Sequence, residues 1–242
     1  MFNSAEHIEY LDDRLRLIVS PSHTFGTDAL LLAAFSMPKR NAKCVDFGTG
    51  CGIIPFYWLR EGVKNVHAVE IQPLACDQLR RSIAMNGLEE CFSLTEGDLT
   101  KLRGVLPFGS FDVVTMNPPY TPAGSGILSS SDADKTARHE TQLTFSELCR
   151  AASELLKFGG SFSVCLRPER LTGAMCEMRI HSLEPKRLRL VAQRPDKAPW
   201  LFLLEGKKGR KPGLIVEKEL FIEAPDGSPS REMLEITGAY KK

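Results

Sequence analysis

"VDFGTGCG", Val45 to Gly52, joins a short apolar run, "KCVDF", to a helix-forming run, "IIPFYWLREG". A buried strand that ends in glycines and feeds directly into a helix opens a βαβ unit. The glycines at 48, 50 and 52 follow G-x-G-x-G, not the G-x-G-x-x-G of a dinucleotide loop. Asp46 stands two residues before the first glycine. A dinucleotide loop cradles pyrophosphate with backbone N–H groups, and a carboxylate there would repel it. An acid at that point suits a cationic or amine-bearing ligand.

Working outward, the same alternation continues. "NVHAVE" reads as a second strand and "PLACDQLRRSIAMNG" as a second helix, with Pro73 at its start, Ala75, Leu79 and Ile83 on one face and Asn86-Gly87 at its end. "CFSLTEGD" and "FDVVTM" supply strands three and four, and "TFSELCRAASELLKFGG" a helix closed by two glycines. "SFSVCL", the helix "PERLTGAMCEMRI", the strand pair "KRLRLV" and "WLFLLEG", and a basic loop "KKGRKPG" follow. Upstream, "IEYLDDRLRLIV" reads as a small β-hairpin, and "TDALLLAAF" as a helix with Thr27 or Asp28 as N-cap. Strands alternating with helices predict an α/β fold with a doubly wound, mostly parallel sheet. The 242 residues carry no repeat or linker, so we expect one domain: hairpin and helix over 1–40, a core over 41–210, and an extension over 211–242.

Composition narrows the setting. No run of about 18 apolar residues is present and the N-terminus is acidic, so we expect neither membrane span nor secretory leader. The seven cysteines (44, 51, 76, 91, 149, 165, 176) form no CxxC pair, which argues against a zinc site or disulfides and for the cytoplasm. No metal and no obligate protein partner is implied. The net charge of +1 hides an uneven distribution: from Arg179 to Lys218, eleven Lys and Arg face four acids. Such an excess is either a polyanion footprint or an ordinary solvated face.

The acids then describe a ligand. Glu70 ends the second strand, 22 residues after Gly48, where a carboxylate accepts hydrogen bonds from ribose hydroxyls; Asp98 ends the third, placed for the exocyclic amine of an adenine. Ammonium, ribose and adenine without phosphate describe S-adenosylmethionine. In Asp46, the glycine loop, Glu70 and Asp98 the chain resembles the Rossmann-like methyltransferases. That resemblance implies a seven-stranded sheet with a reversed last strand, and a cofactor held by Asp46, Gly48, Thr49, Gly50, Gly52, Glu70, Ile71, Asp98, Leu99 and Asn117.

Strand four runs into Asn117-Pro118-Pro119-Tyr120, which resembles the N-P-P-Y motif of enzymes that methylate planar nitrogens. A conjugated amine is a poor nucleophile because its lone pair is delocalised. Accepting its two N–H groups, at the Asn117 side-chain oxygen and the Pro118 carbonyl, favours pyramidal nitrogen and aims the lone pair. The prolines hold φ near −65°, and the Tyr120 ring can stack on a flipped-out base. No general base is required.

"FGTDALLLAAF", "ARHE" and "RPDKAPWLFLLEGKKG" resemble the small bacterial tRNA (adenine-N6)-methyltransferases that modify the adenosine beside the anticodon of valine tRNA, position 37. The likeness spans about Glu9 to Gly209 and implies that Thr27 and Asp28 lie close to cofactor or target base. His139 and Glu140 read as loop anchors, and Trp200 as core. Arg194, Lys197, Lys207, Lys208, Arg210 and Lys211 are the candidate phosphate contacts on a tRNA partner. Another RNA, the glutamine amide of a release factor, or a non-catalytic RNA-binding role stay open. The release-factor enzymes carry a helical domain ahead of the glycine loop, where this chain has about forty residues that begin as a hairpin.

Overall fold

The computed structural model describes residues 5–118 and 143–238; Pro119, Tyr120, the stretch 121–138, His139 and Glu140 lie outside them. β1 (His7–Tyr10) and β2 (Arg16–Val19) pair as a separate antiparallel hairpin. Its turn is closed by Asp12, whose Oδ1 accepts from the Arg14 and Leu15 backbone N–H groups at 2.7 Å each. α1 (Thr27–Phe35) follows and is buried almost all round.

The main sheet and its helices are, in chain order, β3 (Cys44–Phe47), α2 (Ile53–Arg60), β4 (Val66–Glu70), α3 (Pro73–Met85), β5 (Phe92–Glu96), β6 (Phe111–Met116), α4 (Phe145–Leu155), β7 (Leu156–Leu166), α5 (Leu171–Ile180), β8 (Leu183–Ala192), β9 (Leu201–Lys208), β10 (Ile215–Val216), β11 (Leu220–Phe221) and α6 (Arg231–Thr237). Across the sheet the order is β5-β4-β3-β6-β7-β9-β8, with β10 and β11 both on the far side of β8. β9 is antiparallel to both its neighbours and every other pair in this sheet is parallel. This is the doubly wound, mostly parallel α/β sheet that the pattern predicts, with the reversed strand that the resemblance implies. Two short strands after Arg210 widen it to nine.

One core lies beneath α1, α2 and α3, with Trp58, Phe56 and Leu79 fully buried; the other lies beneath α4 and α5, with Phe47, Phe162 and Phe202. The alternation along β3 explains the sorting: Cys44 joins the first core, Val45 and Phe47 the second. The Trp58 indole N–H donates to the Ala33 carbonyl at 3.1 Å and so ties α2 to α1. The hairpin is held on α3, where Ile18 N–H donates to Ser82 Oγ and the Gln78 amide donates to the Ile18 and His23 carbonyls.

Three local expectations are corrected. The N-cap of α1 is Gly26, and Thr27 is already helical, because the carboxylate of Asp28 is turned away to another partner. α4 does not run to the glycines: it stops at Leu155, and Leu156 to Gly160 enter β7. Leu155 and Leu156 are both fully buried in the second core, and the chain turns to extended backbone between them. The register then jumps from Phe111–Leu156 to Val113–Ser161, which leaves Phe158 outside, 72% exposed. Lys207 and Lys208 close β9 and are not loop.

Candidate active site

β4 and β6 flank β3 on opposite sides, so the sheet changes its direction of growth there and opens a crevice at the carboxyl ends of the strands. A cavity of about 210 Å³ occupies it, lined by Phe25, Gly26 and Asp28 at the start of α1, Asp46 and Gly48 to Cys51 around the glycine loop, and Asn117. A second cavity of about 240 Å³ between α4 and α5 touches none of these residues.

Asp46 is 1% exposed. Burial pushes its carboxyl up to about 7, the bond from Thr115 opposes that rise, and the nearby Glu70 adds to it. Its Oδ1 accepts from Thr115 Oγ at 2.7 Å, because Asp46 and Thr115 are register partners on β3 and β6. Thr115 is a polar residue among the apolar Val113, Val114 and Met116, and that oddity is the signal that could have found it.

Glu70, also buried, braces the loop. Its Oε2 accepts from Gly50 N–H at 2.9 Å, and its Oε1 from the N–H groups of Ile71 and Gln72, both at 2.9 Å. Oε2 therefore keeps lone-pair capacity for a hydroxyl. Gly48, Gly50 and Gly52 all have positive φ (57°, 56° and 86°), and a Cβ at Gly52 would come within 2.5 Å of the Leu79 side chain, so the last glycine lets α3 pack closely. Asp98 caps a short 3-10 turn: Oδ1 accepts from Thr100 N–H and Oγ, and Oδ2 faces Lys101 at 3.3 Å. Burial would raise its carboxyl, but those bonds and Lys101 outweigh it and hold it low. Ile71, 49% exposed, lies directly beyond β4, and Leu99 is half-buried against the second core.

Asn117 follows β6 on the same edge. Its Nδ2 donates to Asp28 Oδ2 at 3.0 Å, and its Oδ1 accepts from the Cys165 thiol at 3.1 Å. The structure thus brings Asp28, Asp46, Gly48, Thr49, Gly50 and Asn117 into one cavity, with Gly52 at the loop's end and Glu70 behind it. Thr27 does not line it, and Asp98 stands beyond Glu70 at the end of β5. Pro118 directly follows Asn117, while Pro119 and Tyr120 lie outside the described residues. Cys165, Gly26 and Phe25 were missed by motif spacing. The donor set fits S-adenosylmethionine: a buried carboxylate in a partly apolar cavity calls for a cation, and acids end three successive strands.

The six basic candidates do not come together. β9 runs antiparallel to β7, with Leu166 level with Phe202 and Ser161 level with Lys207. Arg194 and Lys197, which precede β9, therefore lie at the carboxyl edge with Asn117, whereas Lys207, Lys208, Arg210 and Lys211 lie at the amino edge, roughly 17 Å away along the strand. Lys208 is a helix cap: its Nζ donates to the carbonyls of Ser153 and Leu156 at 2.6 and 2.8 Å. Arg210 lies over the Phe158 ring at 5.5 Å. Trp200 is half-buried against the first core, with the Arg167 guanidinium 5.2 Å from its ring, again at the carboxyl edge.

Known proteins fit this geometry. The profile of the methyltransferase small domain matches residues 24–174, more than half of the chain. Two curated relatives, from Shewanella woodyi and Bacteroides thetaiotaomicron, are named tRNA1(Val) (adenine(37)-N6)-methyltransferase. The first is 27% identical over 225 residues, covering 90% of this chain and 92% of the relative; the second is 26% identical over 218 residues, covering 89% of each. Among solved structures, one of a predicted O-methyltransferase from Agrobacterium tumefaciens superposes with a TM-score of 0.70 at 22% identity, covering 88% of this chain and 97% of that one. The chain thus belongs to the methyltransferase small domain family.

Proposed function

We propose that this protein transfers a methyl group from S-adenosylmethionine to the exocyclic amine, N6, of an adenosine in tRNA, adenosine-37 of valine tRNA, in the cytoplasm. The observation that carries the reading is the cavity shared by Asp46 and Asn117: one group suited to a cationic cofactor, one acceptor suited to an amine, on adjacent strand ends. The names of the two curated relatives support the tRNA and the nitrogen.

When bound, the cofactor supplies an electrophilic methyl on a sulfonium. This chain's residues do the rest. Asp46 receives the ammonium, the Gly48–Gly50 backbone lets the ligand approach closely, and Glu70 Oε2 accepts from a ribose hydroxyl while holding Gly50 in place. Asn117 Oδ1 and the Pro118 carbonyl accept the two N–H groups of the target amine. That localises its lone pair, and the acceleration comes from alignment and preorganised dipoles without a general base; the S–CH3 bond breaks as N–CH3 forms, and the amine proton leaves to water afterwards. Arg194 and Lys197, on the same edge, contact RNA phosphate; no protein partner and no metal enter the scheme.

The test offers labelled S-adenosylmethionine with unmodified bulk tRNA, ribosomal RNA, DNA and release factor side by side, and digests the labelled product to nucleosides. N6-methyladenosine recovered from tRNA is the expected result. Label in the release factor, in another RNA alone, or nowhere would overturn it.

A further inference from the structure

We propose that Asp28 is a positioning residue that sets which end of the Asn117 carboxamide faces the substrate; this deepens the preceding reading and rests on it. The two ends of an amide have the same shape, so only the surrounding donors and acceptors decide its orientation. An ionised Asp28 accepts and cannot donate, so the end 3.0 Å away must be Nδ2. On the other side, the Cys165 thiol donates to Oδ1 at 3.1 Å and so fixes the oxygen end. Reversed, the amide would set its oxygen against a carboxylate and turn N–H groups toward the incoming amine. The charge-assisted bond at Nδ2 also draws the amide toward its dipolar form and increases the negative charge on Oδ1.

Two features of α1 are built for this contact. Asp28 stands in the first turn, at the positive end of the helix dipole. Gly26 precedes it in extended backbone, at φ −105° and ψ 177°, which any residue can adopt. Backbone freedom is therefore not why glycine is needed there. A Cβ at position 26 would come within 2.5 Å of Asp28 Oδ1, so the glycine clears the space in which the carboxylate lies.

Three variants test the proposal: D28A, D28N and G26A. In D28A, turnover at saturating cofactor and tRNA should fall roughly thirty- to hundredfold, with cofactor affinity within about threefold of wild type. D28N should recover most of that loss, because the new amide can still offer an oxygen to Nδ2. G26A should also lower turnover by displacing the carboxylate, with little change in melting temperature, which separates the contact from folding. A readout free of substrate is the ¹⁵N-labelled side-chain amide of Asn117: its downfield, slowly exchanging proton should move upfield in D28A and G26A. Full turnover in D28A, a loss confined to cofactor affinity, or an unmoved amide signal would overturn the proposal. Wild-type protein that methylates no RNA would instead sink the preceding reading, and the amide signal alone would then decide the Asp28–Asn117 pair.

Discussion

The carboxyl and amino edges of the sheet carry opposite kinds of polarity. At the carboxyl edge, Asp46, Glu70 and Asn117 are held by hydrogen bonds from Thr115, three backbone N–H groups and Cys165, and Asn117 in turn donates to Asp28. At the amino edge, Arg210 and Lys211 are exposed, Arg210 over the Phe158 ring, Lys207 pairs with Glu205, and Lys208 serves α4. The first set costs stability to bury and is arranged around a cavity; the second costs almost nothing. Strand direction does the sorting, since parallel strands bring every carboxyl end to one side.

The most severe way to break the comparison is at Asn117. N117A should cut turnover roughly a hundredfold or more while leaving cofactor affinity nearly intact, by loss of an acceptor needed only as the bond forms. Steady-state turnover with equilibrium cofactor binding checks both halves, and an active variant would remove Asn117 from the chemistry.

Asp46 comes next. D46N should weaken cofactor binding on the order of thirtyfold, by loss of a charged hydrogen bond. Above pH 7 it should also raise the melting temperature of the free protein, because it removes a carboxylate that burial disfavours. A variant that binds normally would move the ammonium elsewhere.

The same group predicts a pH dependence. The folded carboxyl titrates near 7, above its ordinary value, so its stabilising contribution is complete below about pH 4 and is lost as pH rises through 7. A cationic ligand needs the ionised form. Cofactor affinity should therefore fall by up to about tenfold for each pH unit below 7, with release of up to one proton on binding at pH 6. Calorimetry in buffers of different ionisation enthalpy measures that proton directly.

The smallest effect sharpens the comparison most directly. R194A/K197A should weaken tRNA binding about five- to tenfold and reduce the salt slope by about 1.5. K207A/R210A/K211A should change it by less than about twofold. Equal losses would mean that the RNA reaches around to the amino edge.

Several features were legible before any coordinates. The glycine loop after a buried strand, the acids at strand ends and the Asn ahead of two prolines each follow from chemistry local to a few residues: positive φ, the choice of ligand charge, and proline's restricted backbone. The βαβ order followed from periodicity. Misread features were those in which distant segments compete. Leu155 and Leu156 look helical by propensity, yet both are buried in the second core, and the chain turns between them to start β7 early.

The sequence by itself determined the fold class and the kinds of group in the site, because strand, turn and helix signals are short in range. Only the tertiary structure decided which of those groups meet. Asp28 and Asn117 are 89 residues apart and Asn117 and Cys165 are 48, and nothing in their spacing announces a contact. The basic run from Arg194 to Lys211 reads as one patch along the chain and is two in space, because a β-strand carries its ends to opposite edges of the sheet.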